Sequence, residues 1–122
     1  MFRPLKILNS GKSMLLLKMS KLTDSGVTLE RIIKSRNPSK KYDAIFESPE
    51  GRMKTVSFGS SGMDDYTLTG DKEARRLYRI RHAKDLETRD PTRAGYLAYY
   101  ILWGESTDMM KNIRAYKSRF NL

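Results

Sequence analysis

The sequence predicts an α+β fold, a β-hairpin packed on a three-helix C-terminal module with a basic N-terminal arm. Three observations predict it. Residues 42–58 alternate apolar and polar side chains on either side of "SPEGR", the pattern of two strands joined by a turn. Residues 71–120 change to helical spacing, punctuated by Asp90-Pro91 and by Gly104. Residues 1–41 instead interleave short apolar runs with lysines and end in a Pro/Ser/Lys break. The division is therefore an arm, 1–41, and a folded domain, 42–122. A chain of 122 residues supplies one core and not two.

The elements follow in order. "PLKIL" reads as extended, and "SMLLLKMSKL" is open between a strand and two helical turns. Neither is long enough to span a bilayer, and no small-residue cleavage site follows them. "TLERIIKS" (28–35) reads as a short helix capped by Thr28, with Leu29, Ile32 and Ile33 on one face. "RNPSKK" (36–41) reads as the linker. The strands are "YDAIFES", with Tyr42, Ala44 and Phe46 on one side, and "RMKTVSFG", with Val56 and Phe58 on one side. Two strands alone are marginal in water, so helices must cover them. The first helix runs from Asp71 to about Lys84. The second takes Asp90 as N-cap and Pro91 at its first position, and ends at Gly104. Tyr96, Leu97, Tyr99, Tyr100, Ile101, Leu102 and Trp103 leave it almost no polar face, which marks a central helix. The third opens at Ser106 or Thr107 and sets Met109, Met110, Ile113, Tyr116 and Phe120 in an i, i+4, i+7 rhythm.

The chemistry is narrowed by what is missing. Without cysteine there is no disulfide, thiolate ligand or thiol nucleophile, and His82 is the only histidine. The net charge of +10 favours polyanions, anionic membranes or acidic protein patches. Residues 1–63 hold 12 basic and 5 acidic side chains, and residues 64–122 hold 12 and 9, so the excess is concentrated in the first half. Lys72, Arg75, Arg76 and Arg79 fall on one helical face, with Ala74, Leu77, Tyr78 and Ile80 on the other. The cationic stripe is a candidate polyanion-binding site; its simpler reading is the wet side of an amphipathic helix. Arg81 falls toward the apolar side and so calls for a carboxylate partner. Asp65, Tyr66, Arg81 and His82 are expected to form a structural lock between hairpin and helices. Asp64 and Asp65, being adjacent, are poorly spaced for one metal or one shared proton, so one of them caps a turn. "FGSSG" lacks the lysine of a phosphate loop. The tyrosines, Trp103 and Phe120 have the spacing of a core more than that of a base-stacking platform.

"VSFGSSGMDDYTLTGDKEARRLYRIRH" followed by "DPTRAGYLAYYILWG" resembles a family of small uncharacterised proteins of nucleocytoplasmic large DNA viruses. The resemblance rests on Phe58, Gly59, Gly62, Asp65, Tyr66, Thr67, Asp71, Arg75, Tyr78, Arg81, His82, Asp90, Pro91, Ala94, Gly95, Leu102 and Trp103, and spans about residues 42–120. "AKDLETRD" departs from it by being more acidic after the Arg-His pair. The resemblance implies a virion-associated viral protein assembled inside the host cell, and no catalytic residues.

The expected function is therefore a non-enzymatic structural component, a minor capsid or virion protein without cofactor, metal or small-molecule substrate. Arg3, Lys6, Lys12, Lys18 and Lys21 would form its assembly arm, reaching other capsid or virion proteins or the anionic surface of an inner membrane. The alternative is a nucleic-acid-binding protein that uses the arginine-rich helix, with an affinity that falls steeply with salt.

Overall fold

A computed structural model describes residues 26–122. The fold is α+β. Three strands, β1 (Thr28–Lys34), β2 (Lys40–Glu47) and β3 (Met53–Ser60), form one antiparallel sheet in the order β1-β2-β3. A helical layer follows: α1 (Tyr66–Thr69), α2 (Lys72–His82), a 3-10 segment Ala83–Thr88, α3 (Ala94–Leu97) continued by a π-helical turn Ala98–Leu102, and α4 (Met109–Phe120).

The hairpin at 42–58 forms as expected, with Tyr42 opposite Phe58 and Ala44 opposite Val56. Its turn closes through Gly51 N–H to Ser48 O (2.9 Å), with Gly51 at φ 86°.

Thr28–Lys34 is a strand, which corrects the expected helix. Leu29 and Ile32 are three residues apart, a spacing that looks helical. A β-bulge between Leu29 and Arg31 supplies the extra residue, so Leu29 pairs with Phe46 and Ile32 with Ala44 on the same sheet face. The expected linker is the turn between β1 and β2. Lys40 N–H reaches Asn37 O at 2.9 Å, and the Asn37 side chain accepts from Ser39 N–H and Ser39 Oγ. A boundary at 41/42 thus cuts through β2, and residues 28–41 belong to the sheet.

One face of the sheet carries Leu29, Ala44, Phe46 and Phe58, all buried. Against it lie Leu97, Ile101 and Leu102 of the central helix, with Tyr96, Tyr116 and Phe120 behind. Each large apolar side chain so buried contributes about 1.5–3 kcal/mol. Gly59, at φ 80°, lets the central helix approach closely, because a Cβ there would sit 2.8 Å from Leu102 Cδ1.

Two helix starts differ from expectation. Asp90 caps a turn, accepting from Thr92 N–H (2.9 Å) and Thr92 Oγ1 (2.6 Å), and α3 begins at Ala94. Pro91 is buried, and its carbonyl accepts from the Tyr116 hydroxyl. Asp108 is itself the N-cap of α4, bonding Met110 N–H at 3.0 Å. Among the described residues no helix is long and apolar enough to cross a membrane.

Candidate functional site: the two faces of the arginine helix

Helix α2 starts where Asp71 accepts from Glu73 N–H and Ala74 N–H, both at 3.0 Å. Its rotation about its own axis departs from the sequence expectation: Ala74 and Tyr78 face inward as expected, but Arg75 and Arg79 join them there in place of Leu77 and Ile80. Ala74, Arg75, Tyr78, Arg79 and His82 are half-buried, while Leu77 (41%) and Ile80 (62%) are exposed.

The reason lies at the end of the central helix. The wide turn there, closed by Trp103 N–H to Ala98 O at 3.0 Å, leaves a cluster of carbonyl oxygens short of donors. Arg75 Nε donates to Gly104 O at 2.7 Å. One terminal nitrogen of Arg79 donates to both Tyr99 O (3.0 Å) and Trp103 O (2.8 Å). Buried Asn112 takes Ile101 O (2.9 Å) and Ser106 O (2.7 Å) and accepts from Ser106 N–H (3.1 Å). Cations are favoured at a helix C-terminus, and a flat guanidinium also packs on aromatic rings. Arg79 lies 4.0 Å from the Tyr99 ring centroid. Its loss of hydration pulls its pKa below the ordinary guanidinium value. Gly104 is fixed by space, since a Cβ there would lie 2.2 Å from Tyr100 O and 2.8 Å from the Asn112 side chain.

Tyr78 completes the inward face. Its ring stacks on Trp103 (4.5 Å, 8°) on one side and on His82 (4.1 Å, 23°) on the other. Burial, reinforced by the nearby Asp85 charge, pushes the Tyr78 phenol up to about 12. His82 Nδ1 lies 3.0 Å from Asp85 Oδ2 in a half-exposed position.

The expected lock divides between two corners. Asp65, 2% exposed, caps α1 through Thr67 N–H (2.8 Å) and meets Lys41 Nζ of β2 at 2.5 Å. Tyr66 is buried beside it, with Arg75 5.6 Å from its ring centroid. His82 belongs to the stack at the far end of α2. Arg81 is exposed and has no ion pair among the described residues, which corrects its expected burial. Of the candidate polyanion stripe, Arg75 and Arg79 point to the central helix, Lys72 is exposed, and exposed Arg76 grips Glu73 (2.6 Å). That grip holds the Glu73 carboxyl below its usual range. Arg3, Lys6, Lys12, Lys18 and Lys21 lie outside the described residues.

Sequence reasoning missed Asp43. It lies on the sheet face turned away from the helices, yet is buried under Ser35 Oγ and Ser57 Oγ, each donating at 2.6 Å. Those two hydroxyls hold its carboxyl below the usual value. The available signal was Ser57 directly opposite Asp43 in the hairpin register.

Residues 30–82, from β1 to the end of α2, match a family described as a family of unknown function (DUF5754). No curated protein and no solved structure matches the chain.

Proposed function

We propose that this protein is a non-enzymatic assembly component that docks on an acidic surface of another protein through the outward face of α2. The observation that carries the reading is the composition of that face. Leu77 and Ile80 are exposed on a helix whose remaining outward side chains are Lys72, Arg76, Arg81 and Glu73, the last paired with Arg76, so that the rim stays net basic. An apolar centre with a charged rim is the anatomy of a protein–protein contact. A phosphate-tracking helix has the opposite need, with cations at the centre, and here Arg75 and Arg79 are engaged with backbone carbonyls. The basic rim selects an acidic partner by charge complementarity. The resemblance of about residues 42–120 to proteins of large DNA viruses makes the virus particle the assembly in this reading, with the basic residues of 1–25 as a second attachment.

A photo-crosslinking side chain at Ile80, with one at exposed Thr55 as control, tests this in the native assembly. The expected result is a discrete protein adduct from position 80, resistant to nuclease and lost when Arg76 and Arg81 are changed to Glu. Adducts to nucleic acid, or equal labelling from positions 80 and 55, would overturn it.

A further inference from the structure

A second site lies away from the outward face of α2, in a cleft of about 460 Å³ between α2 and α4. We infer that this cleft binds an oxyanion, the phosphate or carboxylate group of a small molecule, between Arg79 and Arg119. Both guanidinium groups border one ring: their carbons lie 5.7 and 5.0 Å from the Tyr100 centroid. Neither has a carboxylate within ion-pair distance among the described residues. Arg79 commits one terminal nitrogen to Tyr99 O and Trp103 O, which fixes the group and leaves its other N–H donors for a ligand. Arg119 is exposed on the last turn of α4 and, among the described residues, makes only ring contacts. Its side chain is therefore free to swing toward a bound anion.

The other polar groups fit the same chemistry. Ser118 lines the cleft, and neither its hydroxyl nor that of Tyr100 makes a hydrogen bond among the described residues. Asn112, also on the wall, has both ends of its amide engaged and adds nothing. The cleft thus offers donors in excess of acceptors. Glu105, the one acidic group among the described lining residues, is an acceptor for an O–H or N–H beside the anion. A hydroxylated phosphomonoester or carboxylate accordingly fits better than a bare ion. One guanidinium held in place and a second able to close on the ligand, both beside the Tyr100 ring, supply charge-assisted bonds to an oxyanion. This volume lies within the usual range for small-ligand sites.

The test is a titration of the full chain, followed by the backbone and arginine side-chain NMR signals. The soluble probes are inorganic phosphate and glycerol 3-phosphate, with chloride at matched ionic strength as control. The expected result is saturable shifts at Arg79, Ser118 and Arg119, with tighter binding of glycerol 3-phosphate than of phosphate. Exposed Arg119→Ala should weaken binding about tenfold, whereas Arg52→Ala at the distant β2–β3 turn leaves it unchanged. Phosphatidylcholine vesicles doped with phosphatidic acid form a second arm. Co-sedimentation lost in Arg119→Ala, without a response to the soluble probes, would place the phosphate on a lipid headgroup and uphold the cleft. Shifts equal to those with chloride, together with no vesicle binding, would overturn the site, as would binding equally strong in Arg119→Ala.

Discussion

Both faces of α2 carry arginines, and the two sets do different work. Inward, Arg75 and Arg79 close the carbonyl end of the central helix, and Tyr78 stacks between Trp103 and His82. Outward, Arg76 pairs with its neighbour Glu73, and Arg81 is exposed on the same side as Leu77 and Ile80. An arginine on a helix is therefore not a surface charge by default. Its stem packs, its plane stacks, and its fork satisfies carbonyls that a water-free corner would leave unpaired. The contrast also explains why hydrophobicity does not decide the helix rotation here. The partner surface offers open carbonyls and a tryptophan face, and those reward Arg and Tyr more than Leu and Ile.

The comparison is broken most severely at Gly104. Gly104→Ala forces a methyl against Tyr100 O and Asn112 and should cost ~3 kcal/mol or more by urea unfolding. Loss of the charge-assisted bonds in Arg79→Ala should cost about 2–3 kcal/mol, while Arg76→Ala on the other face should stay within about 0.5. Equal effects of the two would remove the distinction between faces.

Titration sharpens the same contrast. The folded pKa of Tyr78 is raised from 10 to about 12, so its contribution is fully present below pH 10 and is lost as the pH rises toward 12. Alkaline unfolding curves should show that decline, and Tyr78→Phe should flatten it while keeping the stack. Asp43 runs in the opposite sense. Its folded pKa is depressed, so its contribution is present above the unfolded value of 3.8 and fades as the pH falls through the lower folded value. Asp43→Asn should show a shallower acid decline than the parent. The smallest effect on stability belongs to Leu77→Glu and Ile80→Glu, each expected within about 0.5 kcal/mol. Both are expected to abolish docking to an acidic partner, so retained binding would count against the proposed interface.

Much of this architecture was legible in the chain. The alternation around "SPEGR" places Ala44, Phe46 and Phe58 in the core, and the unbroken apolar run from Tyr96 to Trp103 marks the central helix. A cap at Asp64 or Asp65 is expected from the sequence, and Asp65 supplies it. Other features were hidden for physical reasons. The bulge in β1 gives Leu29 and Ile32 a helical spacing within a strand, and local periodicity cannot separate the two. The direction of Arg75 and Arg79 depends on a π turn some 20–30 residues later, a tertiary circumstance absent from the local pattern. Lys41 as the partner of Asp65, rather than Arg81, depends on strand β2 passing beside the cap. The cleft at Tyr100 joins residues from three elements that are separated in the chain.

The central claim, that α2 turns arginines inward, is tested most directly by NMR of the arginine guanidinium groups in the folded protein. The prediction is slow solvent exchange at Arg75 Nε–H and hindered rotation of the Arg79 terminal nitrogens, with Arg81 fast on both counts. Uniform, fast behaviour at Arg75, Arg79 and Arg81 would contradict it.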